Sequence, residues 1–167
     1  DSRVGAMGVM ACMLLLLLKA SLIMSVWDLS AGAWKHEAWL LVLAPVWSRW
    51  FMVHAMYRWP MARGSEGLAA LFHGLTAGRR SMAGVMAALL TLVIVGLLWI
   101  TAGETNLGMI EIGGTLVIPI IAWAAGSLTA ERMSRRLGGL TGDTYGALNE
   151  LLETVVLIFV VLLLKFT

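Results

Sequence analysis

The segment from Ser81 to Gly103 reads SMAGVMAALLTLVIVGLLWITAG and contains no charged residue. Because about 20 apolar residues in a helix cross the hydrocarbon core of a bilayer, this segment predicts a transmembrane helix. The rest of the chain is similar, since 60 % of its 167 residues are hydrophobic and 13 % are charged. Soluble domains have roughly 25 % charged residues, so the composition excludes both a water-soluble globule and a disordered chain. We therefore expect an all-α, polytopic integral membrane protein.

Further apolar segments bring the prediction to about five transmembrane helices. These segments are Val4–Trp27, Ala38–Tyr57, Ile112–Ala130 and Tyr145–Leu164. Lys19 interrupts the first of them, and the second contains Arg49 and His54. We expect one transmembrane helical bundle over residues 1–167. The amino-terminal run lacks an initiator Met and the basic leader of a signal peptide, which favours the carboxyl-terminal part of a longer protein.

The basic residues fall mainly on one side of the predicted membrane. That side receives Arg3, Arg58, Arg63, Arg79, Arg80, Arg132, Arg135 and Arg136, and the other side receives Lys35 and Lys165. By the positive-inside rule, the 58–80 and 131–144 loops face the cytoplasm and the carboxyl terminus lies outside. The formal net charge is only +2, so we expect no nucleic-acid partner. The single cysteine, Cys12, excludes a disulfide framework and a cysteine-based zinc site.

The start of the last span carries polar groups that lipid packing does not require. Residues 135–150 read RRLGGLTGDTYGALNE. The glycines of this segment allow backbone N–H groups to approach a ligand closely. A helix that begins at Asp143 places Asp143, Ala147 and Glu150 on one face. Asn149 and Glu153 form a second pair at i,i+4 spacing, and carboxylates that enter a membrane indicate a functional site.

Structural explanations compete with this functional one. Gly138 and Gly139 can serve only to break a loop, and Asp143 can serve only as a helix cap. Capping does not account for Glu150 and Glu153. Arg49 has two alternatives, an internal partner such as Glu150 or Glu153, or a side chain that extends to the membrane surface.

The first residues repeat the pattern. Residues 1–8 read DSRVGAMG, and helical spacing places Asp1, Gly5 and Gly8 on one side. Helix packing through small residues explains the glycines but leaves Asp1 and Arg3 unexplained. Carboxylates beside arginines suggest a divalent metal ion with phosphate, because Mg²⁺ prefers oxygen ligands and guanidinium groups bind phosphate oxygens. For Arg79 and Arg80 we prefer the positive-inside rule as the explanation.

Residues 1–8 and the segment GGLTGDTYGALNELLE at 138–153 resemble the two downstream signatures of the bacterial cobalamin synthase family, the adenosylcobinamide-GDP ribazoletransferases. Residues 44–50 (APVWSRW) and 62–68 (ARGSEGL) resemble the middle section of the family in the same order. The family's other acidic motif, similar to Asp-Gly-Leu-Ala-Asp, precedes the first signature, and the chain begins after it.

This resemblance implies a membrane enzyme of the bacterial inner membrane with its active site towards the cytoplasm and with Mg²⁺ as cofactor. The implied reaction transfers adenosylcobinamide phosphate from adenosylcobinamide-GDP to α-ribazole or its 5′-phosphate and releases GMP. Asp1 and Asp143 are then assigned to metal binding or to deprotonation of the attacking hydroxyl group. The implied phosphate-binding residues are Arg3, Arg135, Arg136, Gly138, Gly139 and Gly142. Glu150 and Glu153 are assigned as further metal ligands or supporting carboxylates.

Three other functions remain as alternatives. A membrane phosphotransferase of the CDP-alcohol type also uses aspartate-rich motifs, although it lacks the Gly-Gly-Leu-Thr-Gly-Asp segment. A transporter or channel subunit would show internal repeats and interrupted helices near the midplane. A structural membrane subunit leaves the polar fifth segment unexplained. The sequence leaves the oligomeric state open, with a homo-oligomer as one alternative.

Overall fold

The computed structural model describes residues 6–30, 38–62, 75–102 and 106–166. Helices make up nearly all of these ranges: α1 (Ala6–Leu29), α2 (Ala38–Leu41), α3 (Leu43–Arg58), α4 (Ala77–Ala102), α5 (Asn106–Leu137) and α6 (Gly142–Lys165). Within the described ranges the only β-type pairing is an isolated bridge between Met61 and Leu140. The predicted all-α architecture is confirmed.

Helices α1, α4, α5 and α6 contain segments that are long and apolar enough to cross a membrane. These segments are Gly8–Leu29, Ala77–Thr101, Met109–Leu137 and Gly142–Lys165. They coincide with four of the five predicted spans. A polytopic helical membrane protein is therefore confirmed.

The second predicted span, Ala38–Tyr57, is not one continuous helix. It is divided at Val42 into α2 and the 16-residue α3. Pro45 explains the division, because it has no N–H to donate to the Leu41 carbonyl and is tolerated in the first turn of a new helix. At 1.5 Å per residue, α3 is about 24 Å long, shorter than the roughly 30 Å hydrocarbon core.

The predicted 131–144 loop is also mostly wrong. Helix α5 continues to Leu137, beyond the predicted end at Ala130, and only residues 138–141 separate it from α6. The segment from Ala130 to Leu137 contains neither Gly nor Pro, and its arginines are good helix formers. Nothing in its local sequence therefore stops the helix where hydropathy falls.

Helix α6 lies at the centre of the bundle and contacts α1, α3 and α5. The larger core cluster includes Leu43 of α3, Leu98 of α4 and Val160 of α6, all fully buried. A smaller cluster joins Phe51 of α3, Leu140 and Leu148 where α3 and α5 end and α6 begins.

Basic side chains collect at the same end of the bundle as this smaller cluster. Arg58 ends α3, Arg79 and Arg80 lie in the first turn of α4, and Arg135 and Arg136 lie in the last turn of α5. The predicted clustering on one side is therefore observed for these residues, whereas Arg3 and Arg63 lie outside the described residues. The side of the membrane to which this end points stays a prediction.

Candidate functional site

The turn between α5 and α6 brings most of the predicted site residues to one end of the bundle. Gly138 ends α5 in a left-handed conformation, with φ of +71°. The Gly139 N–H donates to the Ser134 carbonyl at 3.0 Å, which is the long hydrogen bond of a Schellman motif. Gly138 thus has a structural reason to be glycine, which is the end of α5 and not a break within a longer loop. Its contact with phosphate stays a prediction.

Gly139 allows two backbone segments to approach each other. The Leu140 N–H donates to the Pro60 carbonyl at 2.8 Å, and the Ala62 N–H donates to the Leu140 carbonyl at 3.0 Å. A Cβ atom on Gly139 would lie 2.6 Å from the Ala62 nitrogen, and its φ of +143° is unfavourable for other residues. The structure therefore explains Gly139 by the attachment of the turn to the segment that follows α3.

Thr141 caps α6. Its side chain accepts a hydrogen bond from the Thr144 N–H, and the Thr144 hydroxyl accepts one from the Thr141 N–H, which together form a capping box. The alternative that Asp143 is the helix cap is therefore wrong. Asp143 lies in the first turn, is exposed, and makes no hydrogen bond or ion pair within the part of the chain that the structure describes.

Gly142 differs from the two preceding glycines. It is exposed, and no atom of the described residues lies within 4 Å of the position that a Cβ atom would occupy. The first N–H groups of a helix have no partner within the helix, and the helix dipole makes this end attractive to anions. Gly142 and Asp143 thus present an open helix N-terminus with one carboxylate beside it.

The two predicted arginines of this end have different surroundings. The Arg135 Nε donates to Glu131 Oε1 at 2.7 Å, and its side chain is 78 % exposed. Glu131 also accepts a hydrogen bond from Trp59 Nε1 at 2.8 Å, which connects α5 to the end of α3. Arg136 is exposed and has no acidic partner among the described residues. Glu131 was not predicted as a site residue, although its i,i+4 spacing to Arg135 is a recognisable signal.

Glu150 and Glu153 lie deeper in the bundle, in an ion-pair network. Lys19 Nζ donates to Glu150 Oε2 at 2.5 Å and to Glu153 Oε2 at 2.8 Å. Glu153 Oε1 accepts from Arg49 Nη1 at 3.0 Å and from Asn149 Nδ2 at 3.1 Å. The predicted pair of Asn149 with Glu153 is confirmed, and Glu153 is the internal partner of Arg49. Hydropathy identifies Lys19 only as an interruption of the first span, although an ammonium inside a membrane helix indicates a nearby carboxylate.

A cavity of about 480 Å³ opens between α1, α5 and α6. Ala147 and Glu150 line it, so these two residues of the predicted face share one surface. Cys12 and Leu16 of α1 and Met133 of α5 also line it. Its walls are mainly apolar, and the Glu150 carboxylate is a charged group at its surface.

The described carboxylates do not fit a complete Mg²⁺ site. No group of three or more His, Cys, Asp or Glu side chains among them could hold a metal ion. Asp143 and Glu150 are seven residues apart, about 10 Å along the helix axis, whereas Mg²⁺ binds its ligands at about 2.1 Å. Asp1 and Arg3 lie outside the described residues. Of the predicted metal ligands that are described, only Asp143 has no cationic partner among the described residues.

Comparisons with a family model and with curated proteins identify the same family. A family model described as cobalamin-5-phosphate synthase matches residues 1–161. A protein named adenosylcobinamide-GDP ribazoletransferase from Desulforamulus reducens is 43 % identical over 164 residues, which cover 98 % of this chain and 56 % of the relative. Proteins of the same name from Roseiflexus sp. and Herpetosiphon aurantiacus are 38 % and 37 % identical, over 94 % and 99 % of this chain and 50 % and 57 % of the relatives. The chain thus spans about half the length of the curated relatives it matches. No solved structure matches.

Proposed function

Because the chain belongs to the cobalamin-5-phosphate synthase family, we propose that the full-length protein assembles the nucleotide loop of cobalamin. It transfers adenosylcobinamide phosphate from adenosylcobinamide-GDP to α-ribazole or α-ribazole 5′-phosphate and releases GMP. The observation that carries this proposal is the family match over residues 1–161, which includes both sequence signatures. The names of the relatives, which match over nearly the whole of this chain, support the same reaction.

The reaction is a displacement at phosphorus. A hydroxyl oxygen of the ribazole ribose forms a new bond to the phosphorus that carries the cobinamide, the bond from that phosphorus to the GMP oxygen breaks, and the hydroxyl proton passes to a base. Negative charge is spread over the phosphate oxygens in the transition state, so positioning and electrostatic stabilisation supply most of the rate enhancement.

The end of the bundle at the α5–α6 turn has groups suited to this task. The exposed Asp143 carboxylate is the described group available to take the hydroxyl proton. Arg136 and the open N-terminus of α6 at Gly142 would bind phosphate oxygens, since guanidinium groups and free backbone N–H groups both bind anions. Arg135 would contribute positive charge while it remains paired with Glu131. The arginines of this end would also attract the anionic substrates from solution.

Mg²⁺ remains the proposed cofactor on the basis of the sequence resemblance. The described residues contribute one exposed carboxylate to it, Asp143, and Asp1 is the other proposed ligand. We assign no step of the reaction to the metal ion.

We also propose that the arginine-rich end faces the cytoplasm, in the inner membrane of a bacterium. The positive-inside rule supports this orientation, because cytoplasmic segments carry an excess of Lys and Arg. Six arginines lie in or next to the helix ends at this end of the bundle: Arg58, Arg79, Arg80, Arg132, Arg135 and Arg136.

Release of GMP tests the reaction. The full-length protein in lipid nanodiscs should release GMP from adenosylcobinamide-GDP only when α-ribazole or its phosphate and Mg²⁺ are present. A CDP-alcohol donor serves as control and should release no CMP. Absence of GMP from a folded, lipid-embedded preparation under these conditions would contradict the proposal, and CMP release would favour the CDP-alcohol alternative.

A further inference from the structure

Helix α1 lies at the edge of the bundle, where packing alone holds it weakly. It contacts α6 and the short α2, and only 6 % of its apolar stretch is buried. Lipid tails are as apolar as leucine side chains, so the hydrophobic effect does not drive one helix against another inside a membrane. Polar contacts and small residues must therefore determine where α1 sits.

Lys19 supplies two such polar contacts. Its side chain is only 12 % exposed, and its ammonium group bridges Glu150 and Glu153 on α6. Glu153 also binds Arg49 of α3, so charges from three helices meet at one level of the bundle. Two cations and two carboxylates balance one another in this group. Such balance is what makes charges tolerable within a membrane.

We propose that Lys19 is a positioning residue that fixes α1 against α6, and that Glu150 and Glu153 are its counter-ions and not Mg²⁺ ligands. This inference goes beyond the proposed reaction, does not require it, and departs from the metal-binding role that the sequence resemblance implied for the two glutamates. Magnesium needs carboxylate oxygens that are free to approach it. Here an ammonium group and a guanidinium group already occupy oxygens of these carboxylates.

The position of Lys19 determines the level of the beginning of α1. Helices α1 and α6 run in the same direction, because Cys12 lines a cavity with Ala147 and the later Val26 shares a core cluster with Val160. From Lys19 back to Ala6 is about 20 Å along α1, and from Glu150 back to Gly142 is about 12 Å along α6. The ion pair therefore places the beginning of α1 about 8 Å beyond the beginning of α6, at the end of the bundle that carries the α5–α6 turn, and a slip of one turn would shift it by about 5.4 Å.

The first test measures stability and register in the full-length protein in nanodiscs. Removal of one partner from a buried ion pair is strongly destabilising, so Lys19→Met should lower the Tm by about 10 °C. Lys19→Arg keeps the charge and should retain most of the Tm. Lys165→Met is the matched control, since Lys165 is exposed at the end of α6 and should change the Tm little. Equal Tm values for Lys19→Met and Lys165→Met would overturn the positioning role.

Cross-linking reports the register directly. Cys12 and Leu151 line the same cavity, so a short bifunctional thiol reagent should link Cys12 to a cysteine introduced by Leu151→Cys. The yield should persist in Lys19→Arg and fall in Lys19→Met. An undiminished yield in Lys19→Met would show that α1 keeps its register without the ion pair and would overturn the proposal even if that variant is less stable.

Metal dependence separates counter-ions from ligands. We expect Glu150→Gln to lower the Tm by the same amount with and without Mn²⁺, which serves as the probe for Mg²⁺, and Glu153→Gln to behave likewise. The double variant Lys19→Met/Glu150→Gln should lose less stability than the sum of the two single changes, because the uncompensated charge is gone. A loss of Tm that appears only with Mn²⁺ would identify the glutamates as metal ligands and overturn this assignment. These measurements need no turnover, so the proposed reaction can fail independently of them.

Discussion

Substitution of Gly139 by alanine distinguishes a structural glycine from one that makes room for phosphate. The new Cβ atom would lie 2.6 Å from the Ala62 nitrogen and 2.8 Å from its Cα atom. These are backbone atoms, so relief requires the turn and the segment after α3 to separate. Separation would break the hydrogen bonds from Leu140 to Pro60 and from Ala62 to Leu140.

The size of the effect follows from these contacts. Two backbone hydrogen bonds contribute about 1 kcal/mol each, and alanine at this φ adds about 1 kcal/mol of strain. The free energy of unfolding should therefore fall by about 3 kcal/mol, equivalent to about 6–12 °C in Tm for a domain of this size. Gly138→Ala is the matched control. Its φ of +71° costs about 1 kcal/mol for alanine, but the position is open, and Tm should fall by about 2–4 °C.

The assay is thermal unfolding of both variants in nanodiscs, followed by circular dichroism, with GMP release measured on the same preparations. We expect Gly139→Ala to be clearly the less stable of the two. If Gly139→Ala instead keeps the Tm of the unmodified protein and loses GMP release, the glycine serves the ligand and the packing explanation is refuted.

Three further predictions concern the arginine-rich end. In a chain with Cys12→Ala, a cysteine at Ser134 should resist a membrane-impermeant thiol reagent in intact cells and one at Asn106 should react; labelling of Ser134 from outside would reverse the orientation. Arg136→Ala should raise the KM for adenosylcobinamide-GDP by about tenfold or more, on the scale of one charged hydrogen bond, without a change in Tm, and an unchanged KM would remove Arg136 from the site. Trp59→Phe deprives Glu131 of a hydrogen bond and should lower stability by about 1–3 kcal/mol in chemical unfolding, whereas an unaltered midpoint would show that this contact does not hold α3 to α5.

Hydropathy predicted the membrane helices well because the cost of burying charge in lipid dominates these segments. Hydropathy failed where backbone chemistry determines where a helix begins or ends. Pro45 divides the second span at Val42, and hydropathy does not register the missing N–H of proline. The arginines that end the fourth apolar segment are good helix formers, so α5 continues through them to Leu137.

The contacts predicted within the site were those between residues of one helix. The pair of Asn149 with Glu153 and the shared surface of Ala147 and Glu150 follow from helical periodicity. Lys19 and Glu150 are 131 residues apart, so no local pattern could identify them as partners. The need for glycine at position 139 could not be predicted from local sequence either. It arises from the close approach of the Ala62 backbone, which is distant in the sequence.

The central claim is that the open start of α6, at Asp143, performs the transfer. Asn caps helices as well as Asp, and Thr141 is the cap here, so Asp143→Asn should insert and fold normally. The direct measurement is GMP release from adenosylcobinamide-GDP and α-ribazole by the full-length protein with this substitution, at equal amounts of folded protein. We predict that turnover falls by about 10²-fold or more, the scale of a lost general base. Near-normal turnover of Asp143→Asn would contradict the claim and move the chemistry away from this end of α6.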